Sequence, residues 1–197
     1  MKLNSKLFAV ALICVAALSS CTKPGNAAGN NDNSGSESTT PGKKDEKVAS
    51  AKVSYKFVTS DELLQYFDMS IKYWDPEKQT EMVIEKATKS FLGGTFDTPL
   101  PGKMAIELKT TLKEGVTIDD IKAKSSINYL LPSICYSLAL YNAAGEFLSD
   151  GGYWNSWTPE NATAKSGQKV AENFEAGFFD KTYFQAFDEK GDFIHEQ

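Results

Sequence analysis

Alternation of apolar and polar residues is the clearest pattern in the chain, and it predicts β-strands. Residues 53–57 and 69–73 both place a large apolar side chain at every second position. A period of two is typical of a strand with one buried face and one solvated face. The turn-forming residues 75–79 separate the second strand from residues 82–84, so we expect these two strands to form a hairpin.

Two longer segments, 103–113 and 134–140, alternate in the same way. Their expected inward faces are Met104, Ile106, Leu108, Thr110 and Leu112 in the first segment and Ile134, Tyr136, Leu138 and Leu140 in the second. Pro132 has no backbone N–H and is expected to mark the start of the second strand or a bulge in it.

Two turns share one pattern, which supports further hairpins. Residues 141–148 and 187–194 both read aromatic, Asx, two free positions, Gly, acid, Phe, aliphatic. An Asx side chain starts a turn by accepting backbone N–H groups, and Gly supplies the positive φ of a bulged loop. Both segments are therefore predicted to be hairpin loops.

Helical signals are few. Ser60 precedes Leu63, Leu64 and Phe67 and predicts an N-cap with one or two turns. Ser166 is the expected N-cap of a second helix, stopped near Gly177. The residues predicted to share the apolar face of this helix are Val170, Ala171, Phe174 and Phe178. Residues 117–121 suit a short turn.

Together the segments predict a mainly β fold, an immunoglobulin-like antiparallel β-sandwich with one or two short helices.

The N-terminus has the pattern of an export signal. Lys2 and Lys6 precede an uncharged apolar run, residues 7–18, which is shorter than the about 20 residues of a spanning helix. The run ends in Leu18-Ser19-Ser20-Cys21, which resembles the lipobox of bacterial lipoproteins. That resemblance implies that residues 1–20 are removed and that Cys21 is lipidated, whereas a plain secretory signal with a chance cysteine is the alternative.

Residues 21–50 are expected to form the lipidated cysteine and a disordered tether. They contain no aromatic residue, and their composition of Gly, Asn, Ser, Thr, Ala and balanced charges does not support a packed core. As a flexible coil such a segment reaches about 30 Å. By analogy with lipoprotein sorting, the absence of an acidic residue directly after Cys21 favours the periplasmic face of the outer membrane over the cell surface. Residues 51–197 form the predicted β-sandwich domain.

Charge and composition exclude several function classes. The chain carries a net charge of −5, and all 21 basic residues are Lys. The lack of Arg and of a basic patch argues against nucleic acid as a partner. The single His, His195, lies in the C-terminal tail, so we expect no catalytic triad, no metal site and no cofactor. With Cys14 in the signal and Cys21 lipidated, Cys135 is expected to be a small buried hydrophobe.

The most distinctive candidate site is the aromatic loop at residues 150–161. Tyr153, Trp154 and Trp157 lie there among Asn, Asp, Glu and Gly, a composition found in sugar-binding sites. The alternative is that both Trp side chains cap the sandwich core, because large aromatic residues dominate burial. Trp74 alternates with Ile71 and Tyr73 and is therefore expected on an outer face.

Residues 55–73 and the segment 140–146 also resemble small uncharacterised β-sandwich lipoproteins of the envelope of gut-type Gram-negative bacteria. The resemblance implies a fold and a location, not an activity. We expect a lipid-anchored, non-catalytic protein that binds a glycan or an envelope protein. The alternatives are a structural or assembly subunit of a surface fibre or outer-membrane complex and, with less support, a glycoside hydrolase, which needs only a suitable pair of carboxylates.

Overall fold

The computed structural model describes residues 47–194. Its strands are β1 Ser50–Val58, β2 Phe67–Asp75, β3 Thr80–Ile84, β4 Phe91–Thr98, β5 Gly102–Leu112, β6 Ile127–Tyr129, β7 Ser133–Tyr141, β8 Phe147–Tyr153, β9 Thr163–Lys165, β10 Lys181–Phe187 and β11 Phe193–Ile194. Its helices are α1 Leu63–Tyr66, α2 Ile118–Lys122 and α3 Gly167–Glu175, with a 3-10 turn at Pro159–Asn161. The predicted signal peptide, Cys21, most of the tether and His195 lie outside the described residues.

The described residues form a mainly β, sandwich-like fold of antiparallel sheets. Four strands in the order β4-β1-β7-β8 form the sheet that we call sheet A. Five strands in the order β11-β10-β5-β2-β3 form sheet B, and β6 pairs with β9 separately. The hairpin predicted around residues 75–79 is confirmed, since β2 and β3 pair antiparallel from Ile71 opposite Ile84 to Asp75 opposite Thr80.

The core lies between the inward faces of the two sheets, and alternation predicted those faces correctly. In β5 the predicted inward residues Met104, Ile106 and Leu108 are at most 3% exposed. The rings of Tyr55 in sheet A and Tyr73 in sheet B lie 5.7 Å apart, so aromatic packing joins the sheets directly.

Both predicted hairpin loops are confirmed, with the expected chemistry. Between β7 and β8 the side chain of Asn142 accepts two backbone N–H groups at 3.0 and 2.9 Å, and Gly145 has φ 77°. Between β10 and β11 the side chain of Asp188 accepts two backbone N–H groups at 2.8 and 2.9 Å, and Gly191 has φ 81°. The shared sequence pattern therefore encodes a shared turn.

The helix after Ser166 is confirmed, but one residue of its predicted apolar face is wrong. Ser166 caps α3 by accepting the N–H of Lys169 at 3.3 Å. Phe178 is 53% exposed, because the helix ends at Glu175 and Gly177, with φ 75°, redirects the chain. Phe179 is buried in its place.

Two further boundaries differ from the sequence prediction. The helix α1 is a single turn, and Phe67 is the first residue of β2 rather than part of the helix. Sheet A also begins within the segment assigned to the tether, since Ser50 starts β1 and the N–H of Ala49 donates to Tyr141 O at 2.8 Å. Between residues 47 and 194 no helix is long and apolar enough to cross a membrane.

Candidate functional site

The three residues of the predicted aromatic site lie at the end of β8, but the structure divides them between two faces of sheet A. Tyr153 is the last residue of β8 and turns inward, where its ring lies 5.3 Å from that of Tyr183. Trp154 and Trp157 belong to the following loop, residues 154–158, which folds over the outer face. The structure therefore places Tyr153 in an inward tyrosine cluster and Trp154 on the outer surface.

A lysine of the central strand β1 fixes this loop. The amine of Lys56 donates hydrogen bonds to the backbone oxygen of Asn155, to Asn155 Oδ1 at 3.0 Å and to Trp157 O at 3.4 Å. Asn155 Oδ1 also accepts the N–H of Trp157 at 3.1 Å. The buried amine of Lys56 and the side-chain amide of Asn155 thus hold the loop in place. Trp157 takes part only through its backbone N–H and C=O groups.

The same amine holds the ring of Trp154. Lys56 Nζ lies 4.8 Å from the ring centroid, within the range of a cation–π contact. Burial lowers the pKa of Lys56 below its ordinary value, and Lys56 has no carboxylate salt bridge among residues 47–194. The carbonyl oxygens and the ring of Trp154 are therefore the groups that compensate its charge.

Neither Trp of the loop caps the core, so that alternative is wrong. Trp154 is 46% exposed, and neither Trp154 nor Trp157 packs on the core cluster. Cys135, the cross-strand partner of Lys56, is fully buried on the same face, and burial raises the pKa of its thiol. The prediction that Cys135 is a small buried residue is confirmed.

No protein-family model, curated protein or solved structure matches this chain. The site must therefore be interpreted from its own geometry.

Next to Trp154, the outer face of sheet A carries a row of small residues, three of which have hydroxyl groups. One residue from each of the four strands forms this row, and each is the cross-strand partner of the next: Gly152, Ser137, Ser54 and Thr95. The hydroxyls of Ser54 and Thr95 are 2.8 Å apart. We call this row together with Trp154 the platform. Small side chains leave it open, and its hydroxyls offer both donors and acceptors.

The edge strand β4 is a second feature of sheet A. The N–H of Asp97 points away from β1, since it donates to Glu77 Oε1 at 3.0 Å. By alternation the backbone groups of Phe91, Gly93 and Thr95 also point outward, and no strand of the described chain pairs with this side of β4. An open edge of this kind is a template for strand addition.

A half-open apolar slot lies beside this edge, between the two sheets. Its volume is about 150 Å³. It is lined by Tyr55, Lys56, Phe57, Ile71, Tyr73, Ile84, Leu92, Gly93, Gly94, Phe96 and Ile106. No Asp or Glu lines the slot, so it does not supply the carboxylate pair that glycoside hydrolysis requires.

Trp74 lies on the outer face of sheet B, as the alternation predicted. The amine of Lys103 lies 3.8 Å from its ring centroid, and the neighbouring outward residue Lys72 pairs with Glu81 at 3.1 Å. No group of three or more His, Cys, Asp or Glu side chains within residues 47–194 could hold a metal ion. The expectation that the protein has no cofactor stays a prediction.

Sequence reasoning missed Lys56, the residue that organises the site. Alternation assigns it to an outer face, where a lysine is ordinarily solvated, yet it is 5% exposed. Its partners lie about a hundred residues later in the chain, at separations of 99 and 101. The only signal in the sequence is that a loop rich in Trp and Asn needs an anchor.

Proposed function

We propose that this protein is a lipid-anchored, non-catalytic binding protein of the bacterial envelope, with an immunoglobulin-like β-sandwich that binds a glycan on the platform. Cys21 would carry the lipid, and the outer membrane, at its periplasmic face, is the proposed location. The lipobox pattern and the antiparallel sheets of four and five strands support this proposal.

The exposed and immobilised ring of Trp154 carries the glycan proposal. A large aromatic ring that is 46% exposed offers its face to the apolar side of a pyranose. Because Lys56 already holds the loop, less side-chain entropy is lost when a ligand stacks on this ring. The neighbouring hydroxyls of Ser54, Thr95 and Ser137 can then exchange hydrogen bonds with sugar hydroxyls.

A panel of envelope and dietary polysaccharides presented to the full-length protein in a non-glycosidic detergent tests this function. We expect binding that is lost in Trp154→Ala and in the Trp154→Ala/Trp157→Ala double variant. Phe184→Ala is the matched control, since Phe184 is a 55% exposed aromatic residue of β10 in sheet B. Silence across the panel, or binding that Trp154→Ala leaves intact, would refute a glycan site on the platform.

The open edge of β4 favours a second candidate function, a subunit of an envelope assembly. A partner strand added along β4 would extend sheet A through the outward backbone groups of Phe91, Gly93 and Thr95. Its inward side chains would enter the apolar slot. The partner in this case is an envelope protein or a second copy of the chain.

Thr95→Pro tests the assembly function. It removes an outward N–H and leaves the backbone hydrogen bonds between β4 and β1 in place. The exposed hydroxyl contact between Ser54 and Thr95 is the one interaction with β1 that is lost, so the cost to the fold is small. We expect the variant to lose the cross-linked, high-mass species that the wild-type protein forms in intact envelopes. Phe96→Pro is the contrasting control, because the N–H of Phe96 points toward β1 and its loss should unfold the edge. Identical cross-linking by Thr95→Pro and the wild type would eliminate this function.

A further inference from the structure

The outer face of sheet A carries a second aromatic group at the end opposite Trp154. Tyr141 lies on this face in β7, and Phe147 is its partner in β8. Their ring centroids are 6.1 Å apart, and Phe147 is 51% exposed. Neither ring packs on the core cluster. The outer face of sheet A therefore has an exposed aromatic residue at each end of its strands.

The spacing between the two ends is fixed by the strands. In β7, Cys135 lies beside Lys56 under the Trp154 loop, and Tyr141 follows six residues later. At about 3.3 Å per residue, the two aromatic ends are about 20 Å apart. This distance exceeds the length of a disaccharide, so one small sugar cannot contact both ends.

The charges of this face are compensated or acidic. Lys52 pairs with Asp97 at 2.7 Å, and Lys56 is buried against Trp154 and carbonyl oxygens. Asp150, the cross-strand partner of Ala139, forms no salt bridge among the described residues. Among the described residues this face thus presents no uncompensated cation to bind a carboxylate or sulfate group, and the unpaired carboxylate of Asp150 repels such groups.

We infer that the outer face of sheet A, from the platform to the Tyr141–Phe147 pair, is an elongated site for an extended, neutral glycan chain, with one sugar stacked on Trp154 and another on the Tyr141–Phe147 pair. This inference rests on the proposed glycan-binding function and adds the length and charge of its ligand. In β7 the outward residues between the two ends are Ser137 and Ala139, whose small side chains let the chain lie along this strand. The hydroxyls of Ser54 and Ser137 contact it midway.

The experiment measures affinity against chain length. The probes are neutral β1,4-linked gluco-, manno- and xylo-oligosaccharides, from disaccharide to octasaccharide, and galacturonic-acid oligomers of the same lengths. They are titrated by calorimetry into the full-length protein in a non-glycosidic detergent. For a neutral series we expect Kd to fall by about tenfold or more between the disaccharide and the hexasaccharide, since a second aromatic contact is gained.

The variants separate this inference from the proposed function. Phe147→Ala should bring the hexasaccharide affinity down to near that of the disaccharide, whereas Trp154→Ala should weaken every length. Phe184→Ala should change nothing. Binding that depends on Trp154 but not on length or Phe147, or that favours the acidic oligomers, would overturn the elongated neutral site alone. If no oligomer, neutral or acidic, binds at any length, the elongated site and the glycan function both fail.

Discussion

Lys56 is a buried cation without a carboxylate partner among residues 47–194, and its surroundings explain why it is tolerated. Moving an amine out of water is costly unless its hydrogen bonds are replaced. Here carbonyl and amide oxygens of the Trp154 loop supply those bonds, and the ring of Trp154 covers the remaining side. The loop and the lysine therefore stabilise each other.

Replacing Lys56 with Met should loosen the loop while preserving the packing of the side-chain stem. The oxygens of Asn155 and Trp157 would lose their donor, at an expected cost of about 1–3 kcal/mol. Urea unfolding measures this cost, and the fluorescence anisotropy of Trp154 should fall. Lys52→Met is the control, since its exposed pair with Asp97 should contribute less than about 1 kcal/mol. Equal losses in the two variants would contradict this account of Lys56.

Asp75 is the buried carboxylate that organises the β2–β3 turn. Burial alone would raise its pKa, but the amine of Lys78 at 2.6 Å and two backbone N–H groups outweigh burial and hold the pKa of Asp75 below its usual value. A carboxyl whose pKa is lower in the folded state stabilises the fold above its unfolded pKa of about 3.9. That stability is lost as the pH falls through the folded pKa.

Asp75→Asn should therefore cost about 1–3 kcal/mol at neutral pH, and the difference from the wild type should shrink below about pH 4. Urea midpoints measured across this range give both values. Glu81→Gln is the matched control, because Glu81 is an exposed partner of Lys72. A pH-independent difference would mean that the turn is held by packing rather than by the ionised carboxylate.

At the scale of elements, the close approach of α2 and α3 depends on one glycine. A Cβ on Gly167 would lie 1.8 Å from the backbone oxygen of Ile121, and the N–H of Gly167 donates to Lys124 O at 2.9 Å. Gly167 is the first residue of α3, where its conformation would suit Ala equally well. Its absence of a side chain is therefore a packing requirement of the helix pair.

Gly167→Ala separates this packing effect from helix propensity. Alanine favours a helix by about 1 kcal/mol over glycine, yet overpacking against α2 should destabilise the protein by about 1–3 kcal/mol net. Thermal and urea unfolding measure the change. Gln168→Ala, on the exposed side of the same turn, should stay within about 0.5 kcal/mol of the wild type. A Gly167→Ala protein as stable as the wild type would show that the two helices separate freely.

Elements with a local signal could be predicted from the sequence, and those made by distant contacts could not. The alternation in β5 and the Asx–Gly turns at Asn142 and Asp188 are each encoded by about ten consecutive residues. The strand β4 was missed because Gly93-Gly94 interrupts any period of two, so that its pairing with β1 alone defines it. The aromatic loop was found by composition, but its division between two faces and its anchor Lys56 depend on β1.

At the scale of the molecule, the direction of the platform follows from where the chain enters sheet A. The described chain joins the sheet at Ala49, whose N–H donates to Tyr141 O, so the proposed lipid anchor would be attached at the Tyr141–Phe147 end. Trp154 lies at the other end, about 20 Å further along the strands.

Residues 51–197 also carry 15 Lys against 22 acidic residues, a net charge of −7 that repels an anionic membrane surface.

The anchor itself is testable on the whole protein. Expressed in a Gram-negative host, the wild-type chain should incorporate labelled palmitate and sediment with the membranes, because several acyl chains make anchoring stable. Cys21→Ala should appear in the soluble fraction without label, and Cys14→Ala should behave as the wild type. Membrane association that survives Cys21→Ala would exclude lipidation at this residue as the anchor.

The position of β1 at the centre of sheet A has a consequence for how the chain folds over time. β1 is the first strand of the described chain to be synthesised, but its partner β7 comes much later, with Ser50 opposite Tyr141. Such non-local pairing makes folding slow, typically milliseconds to seconds for β-rich domains. Until β7 has been synthesised, β1 has an apolar face but lacks one of its two neighbouring strands. A chain that completes its central strand pairing so late stays unfolded for longer after β1 has been synthesised.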